Sequence, residues 1–234
     1  MEASNLDNDK IKLSAILARL QWPDPLVRIL ALEKVATLLK DHQSEEMIDQ
    51  FKNWISKREL ETEVLSGLII LLKAKMENVI EWPELRPLIR APSILSDVLL
   101  RKLYPNADIP PDWIDGHSGF SLEDFSDDHR IEKLKPASYG EHIFQEECEK
   151  IGLPYCQQLA HELRRLLDSG YPASFSEHYF RPTYSLKFKA HLTPVASDVR
   201  LSSFLRVISF FAASTGIPYK YARLFAESAI PVHL

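Results

Sequence analysis

The chain has 234 residues and a formal net charge of −5, and hydrophobic and charged residues make up 45% and 26% of it. This length allows one large or two small domains, and the composition excludes wholesale disorder. The negative charge gives no general basic field for nucleic acid, and two cysteines are too few for a disulfide framework. The longest apolar run, 68–72, is far shorter than a membrane span, so we expect a cytoplasmic protein without membrane contact.

The first 104 residues carry the spacing of amphipathic helices. Helices are predicted at 10–20, at 24–41, after a Ser44 cap, at 59–77 and at 93–103, with at most a helical turn at 82–89. The first eight residues are expected to be frayed. The helix at 59–77 is apolar on so much of its surface that we expect neighbours on two sides of it.

The segment 24–41 organises this half of the chain. Asp24 is a good N-cap, and Pro25 follows at the first helical position, where its missing N–H costs nothing. The predicted buried stripe consists of Val27, Ala31, Val35 and Leu38, widened by Leu26, Leu30 and Leu39. A stripe this wide must be buried against other helices.

The string carried by Asp24, Val27, Arg28 and Ala31 resembles the inner part of a HEAT repeat, a helical repeat related to the armadillo type. The segments around Val27 and Val64 echo each other, although the second lacks the Asp and the Arg. The resemblance covers about residues 23–104 and implies a curved helical stack that offers a surface to a partner, with Arg28 among its contacts. An ordinary helical bundle has the same periodicity and remains the alternative.

An acidic, proline-containing linker or strap is predicted at 105–136, between a domain at 1–104 and another at 137–234. Trp113, Phe120 and Phe125 predict that it is pinned to the helical surface or docks on a partner. The cluster Asp124, Asp127, Asp128 and His129 is rich in oxygen ligands for a hard cation but fits no EF-hand spacing. An acidic solvated loop is the favoured explanation of this cluster, so we assign no metal site.

The last hundred residues are predicted to be mainly helical with one β-hairpin. A capping box at Ser138 and Glu141 opens a helix that Gly152 ends, and a second helix runs from Pro154 to Ser169. Strict alternation at 186–192 predicts a strand, with 177–181 as its hairpin partner. Asp198 is predicted to cap a helix that reaches Ser214, and 219–228 forms the last one.

Two stretches of this half are candidate contact surfaces. The first lies on the predicted hairpin and consists of Arg181, Tyr184, Lys187 and Lys189, which are also explained as solvated residues of an amphipathic strand. The second is a helix-turn-helix-like segment in which Lys220 and Arg223 would meet DNA. Two basic residues are few for that role, and the overall charge argues against nucleic acid.

Motifs for catalysis and cofactor binding are missing from the sequence. His161–Glu162 begins like a zinc-protease motif, but Arg165 stands where the second histidine belongs. We therefore expect no cofactor and no catalytic residue, and a non-enzymatic scaffold or assembly subunit that binds another protein or itself. The alternatives are a metal-dependent hydrolase or nuclease that uses Asp124–His129, and a DNA-binding protein that uses Lys220 and Arg223.

Overall fold

The structure is a computed structural model that describes residues 2–22, 24–110, 139–171 and 193–229. It is mainly α, and these four ranges contain no strand. The helices are α1 (Glu2–Arg19), α2 (Pro25–Asp41), α3 (Glu45–Ile55), α4 (Glu61–Ala74), α5 (Trp82–Leu85, followed by a 3-10 turn at Arg86–Leu88), α6 (Ile94–Leu103), α7 (Tyr139–Lys150), α8 (Tyr155–Asp168), α9 (Thr193–Ser214) and α10 (Tyr219–Ala229).

The chain divides into two compact units. The first unit contains α1 to α5 and most of α6. The second unit contains residues 93–95, where α6 begins, together with α7, α8, the part of α9 that follows residue 195, and α10.

In the first unit, four helices pack in a regular order. Helix α1 contacts α2 and α3, α2 contacts α4, and α3 contacts α4. Helices α1 and α2 form one helical hairpin, and α3 and α4 form another. The first helices of the two hairpins, α1 and α3, pack against each other, and so do the second helices, α2 and α4. The core between them is closed by fully buried side chains, among them Leu13, Leu39, Phe51, Ile55 and Leu68.

Helix α4 is the inner helix of this unit, as its wide apolar surface predicts. Val64, Leu68 and Leu71 are fully buried, and so is Ile70 on another side of the helix. Helix α4 contacts both α2 and α3. Gly67 allows α3 to approach closely, because a Cβ at this position would lie 2.8 Å from Cδ1 of Ile55.

The second unit is built around α9. Nearly every side chain of α9 between Val199 and Phe211 is buried, polar ones included. Phe144 of α7 lies at the centre of an aromatic cluster whose ring centroids are 5.1 to 6.4 Å from its own. The other members are Tyr155, Phe204, Phe211 and Phe225. This cluster joins α7, α8, α9 and α10.

Two predicted helix starts are wrong. Helix α1 begins at Glu2, although the first eight residues were expected to fray, and α9 begins at Thr193, so Asp198 lies inside the helix and does not cap it. The helical residues that the prediction missed, 2–9 and 193–197, have no apolar stripe, so hydrophobic spacing gave no signal for them. A helix can continue through such residues because its backbone hydrogen bonds do not require an apolar stripe. The part of the predicted linker beyond residue 110 and the predicted β-hairpin at 177–192 lie outside the described ranges.

Candidate functional site

The outer face of α2 carries three large aliphatic side chains in water. Leu26, Ile29 and Leu30 are 63%, 53% and 60% exposed. They follow the i, i+3, i+4 spacing that places side chains next to each other on one face. Trp22, which is 56% exposed, precedes the helix by three residues. We call Leu26, Ile29 and Leu30 the α2 patch.

Helix α2 is apolar on two opposite sides. Ala31, Val35 and Leu39 are buried, and at about 100° per residue Leu26 and Leu30 lie about 140° away from Ala31 and Val35. The prediction that Leu26 and Leu30 widen the buried stripe is therefore wrong, whereas Leu39 does belong to it. The apolar residues of α2 span more of its circumference than α1 and α4 can cover.

Asp24 and Pro25 set the start of this helix as predicted. The Asp24 Oδ1 atom accepts hydrogen bonds from the backbone N–H groups of Leu26, at 2.8 Å, and Val27, at 3.3 Å. The cap satisfies two backbone N–H groups of the first turn, which have no partner within the helix.

Arg28 lies on the other side of α2 from the patch. It is half-buried and shares the side that carries Ala31 and Val35. Arg28 takes part in an interaction within the chain. The structure thus places Arg28, the candidate contact from the repeat resemblance, away from the exposed apolar side chains.

Lys220 and Arg223, the candidate DNA contacts, both lie on exposed positions of α10. Arg223 Nε donates to Glu227 Oε1 at 2.8 Å, so its charge is already matched within the helix. The large exposed side chains beside them are Tyr219, Tyr221 and Leu224, which are 40%, 57% and 53% exposed. The outer surface of α10 thus combines apolar, aromatic and charged side chains, and Lys220 has no ion pair within the helix.

The other predicted contact residues fall outside the described ranges. They are Trp113, Phe120, Phe125, Asp124, Asp127, Asp128, His129, Arg181, Tyr184, Lys187 and Lys189. Within the ranges that are described, no three His, Cys, Asp or Glu side chains come together as a possible metal site.

Buried charges in the second unit form a network that the sequence analysis missed. Tyr155 donates its hydroxyl to Glu141 Oε1 at 2.7 Å, and Arg200 Nη2 pairs with the same carboxylate. Burial raises the pKa of Tyr155 well above its usual value, and the Glu141 carboxylate raises it further while Arg200 opposes this. These bonds connect α7, α8 and α9, and they give Glu141 a partner set beyond the capping box predicted for it.

A second carboxylate extends this network along α8. Glu162 Oε2 accepts from Arg165 Nε at 3.1 Å and lies 3.8 Å from Arg206 Nη1, while its Oε1 accepts from Gln158 at 3.5 Å. Both arginines of α9 lie in a run of apolar and serine residues that has no other charged side chain, which was the available signal in the sequence. Opposite charges are matched here between packed helices, so the arrangement orients the helices and presents no reactive group to solvent.

The cysteines differ in burial. Cys148 is fully buried, whereas Cys156 is half-buried. Burial raises the pKa of Cys148 to about 12, and burial also raises the pKa of Cys156, with a contribution from Glu149. Neither thiol therefore has the lowered pKa of a nucleophilic cysteine.

Comparison of the chain with protein-family models, with curated proteins and with solved structures finds no significant match. Among the helices described, none is both long and apolar enough to cross a bilayer.

Proposed function

We propose that this chain is a non-enzymatic protein-interaction module, a scaffold or a subunit of a larger assembly, that contacts a partner protein through the α2 patch. The single observation that carries the proposal is the exposure of Leu26, Ile29 and Leu30, each more than half in water. The apolar face of a helix is normally buried against another surface. The second apolar side of α2 is therefore explained by a protein that covers it.

The energetics favour this interpretation. Full burial of one Leu or Ile side chain contributes roughly 1.5–3 kcal/mol, so three half-exposed side chains offer a few kcal/mol to an interface. An interface of ordinary size buries about 800 Å² on each partner. The patch is smaller than this and would form its apolar centre, with Trp22 and polar neighbours at the rim.

The arrangement of the first unit also supports the proposal. Helices α1 to α4 pack as two hairpins, first helix against first and second against second. This order suits a helical repeat stack, a class of protein that binds partners along extended surfaces. The HEAT-like character remains part of the proposal.

A triple variant tests the α2 patch. Leu26→Ser, Ile29→Ser and Leu30→Ser together remove the apolar surface without touching the buried stripe. The tagged wild-type chain and the variant are used to isolate complexes from the source cells, and the masses of the purified chains are measured by light scattering. We expect a defined partner, or a self-associated form, that is at least tenfold depleted with the variant.

The control is Lys34→Gln with Lys40→Gln, two exposed polar changes on the same helix. Thermal unfolding verifies that both variants are folded. If the triple variant recovers the same complexes with the same yield as the control, the α2 patch is not the contact surface.

A further inference from the structure

A groove runs between α1 and α3 on the first unit. Its volume is about 560 Å³, and it is lined by Ile11, Ser14, Glu46, Asp49, Gln50 and Asn53. The four residues from α3 follow the i, i+3, i+4, i+7 spacing of a single helix face. Gln50 Nε2 donates to Ser14 Oγ, and this bond ties the two walls together.

Ile11 gives the groove an apolar wall. It is 70% exposed, more than any other large hydrophobic side chain in the described ranges. Its neighbours on the same helix, Leu13 and Leu17, are buried in the core. Ile11 therefore contributes nothing to the core and leaves an aliphatic surface open to solvent.

The charged groups of the lining are both carboxylates. Glu46 and Asp49 are exposed, and neither forms a hydrogen bond or an ion pair with a described residue. Two other surface carboxylates of this unit are matched: Glu33 lies 2.6 Å from Lys73 and Glu84 lies 2.7 Å from Lys52. The groove thus combines an open apolar wall with two unmatched negative charges.

We propose that this groove binds a basic amphipathic peptide segment of a partner protein. An aliphatic side chain of the segment packs against Ile11, and a lysine or arginine beside it extends towards Glu46 and Asp49. Long basic side chains suit such a site, since their hydrocarbon stems cover apolar surface while their charged ends stay in water. The exposed amide of Asn53 supplies a donor and an acceptor for the backbone of the segment.

The lining of the groove favours a peptide over other ligands. Two carboxylates repel phosphate groups, so nucleic acids and phosphopeptides are disfavoured. The size falls in the range of about 300–1,000 Å³ typical of binding clefts, which accommodates a few side chains of a segment. This contact is distinct from the α2 patch in residues and in chemistry, so either proposal can fail without the other.

The test uses a fluorescein-labelled nine-residue peptide of alternating Arg and Leu, with a Glu–Leu peptide of the same length as the negative probe. Binding to the full chain is measured by fluorescence anisotropy. We expect Glu46→Gln with Asp49→Asn to weaken binding by about five- to tenfold, as the loss of two exposed ion pairs predicts. Ile11→Ser should weaken binding of the Arg–Leu peptide by about tenfold, and the dependence of binding on salt concentration should stay the same.

The matched control is Asp41→Asn with Asp108→Asn, which removes the same formal charge from exposed positions of the first unit outside the lining. It should bind the Arg–Leu peptide like the wild type, and so should the triple variant of the α2 patch. If the control weakens binding as much as the groove variants, or if Ile11→Ser has no effect, attraction to the net charge explains the binding and the groove proposal is wrong. Absence of binding to the wild-type chain also overturns it.

Discussion

Gly67 of α4 lies so close to Ile55 of α3 that a Cβ atom would meet Cδ1 of Ile55 at 2.8 Å and Cγ1 at 3.2 Å. The ring of Trp54 limits the space on another side, at 3.3 Å. Ile55 is fully buried, so its side chain cannot move out of the way into water. The distance between α3 and α4 therefore depends on the absence of a side chain at this position.

We predict that Gly67→Ala destabilises the protein. Ala favours a helix over Gly by about 1 kcal/mol, but overpacking a core costs about 1–3 kcal/mol, so the free energy of unfolding should fall by about 1 kcal/mol. Urea unfolding measures it. In an Ile55→Val background, which lacks Cδ1, the same change should become neutral or stabilising. Equal destabilisation in both backgrounds would show that Ile55 does not limit the approach.

The buried charges of the second unit should be costly to break one at a time. Glu141→Gln leaves Arg200 buried without its counter-charge, and we expect a loss of about 3–5 kcal/mol in the free energy of unfolding. Tyr155→Phe removes only a neutral donor to Glu141 and should cost about 1 kcal/mol. Chemical denaturation of the full chain gives both values.

The double variant Glu141→Leu with Arg200→Met is the control for that prediction, because it removes both charges together. It should recover most of the stability that Glu141→Gln loses, since no unpaired buried charge remains. If the double variant is as unstable as the sum of its single changes, Glu141 and Arg200 do not stabilise each other.

Both thiols should ionise at a higher pH than a free cysteine, and Cys148 at a higher pH than Cys156. Burial raises the pKa of Cys148 from 9.0 to about 12, so in the folded chain its thiolate absorbance should be absent below about pH 11. At pH 8 a disulfide reagent should modify the half-buried Cys156 before Cys148. Cys148→Ser and Cys156→Ser identify which thiol reacts.

The raised pKa of Cys148 makes the free energy of unfolding depend on pH in the alkaline range. The unfolded chain ionises Cys148 near pH 9.0, whereas the folded state holds the proton up to about pH 12. The contribution of Cys148 is therefore fully present below pH 9.0 and is lost as the pH rises to about 12. The difference in unfolding free energy between wild type and Cys148→Ala should shrink over that window. A constant difference from pH 8 to pH 11 would contradict the raised pKa.

The cap of α2 predicts a local effect. Asp24→Ala removes the acceptor for the N–H groups of Leu26 and Val27 and should cost about 1 kcal/mol of stability. Asp24→Asn keeps an acceptor and should cost much less, which makes it the matched control. Hydrogen exchange at the first turn of α2 should speed up for Asp24→Ala only.

Local signals predicted much of the fold correctly. Asp24–Pro25 marks the start of α2, Ser44 caps α3 through Met47 N–H at 3.4 Å, and glycines with positive φ end α7 and α9. These features depend on a few neighbouring residues. Hydrophobic spacing failed at 2–9 and 193–197, where the helices extend without an apolar stripe of their own.

The sequence by itself determined where most of the helices lie and which side chains are apolar, because capping and helical spacing are local properties of the chain. Only the tertiary structure decided that Leu26 and Leu30 face water while Leu39 is buried, since that depends on how much of α2 its neighbours can cover. It also decided that Glu141 meets Arg200, 59 residues further along the chain. Long-range contacts of this kind follow from packing of whole helices, and no pattern within either segment specifies the partner.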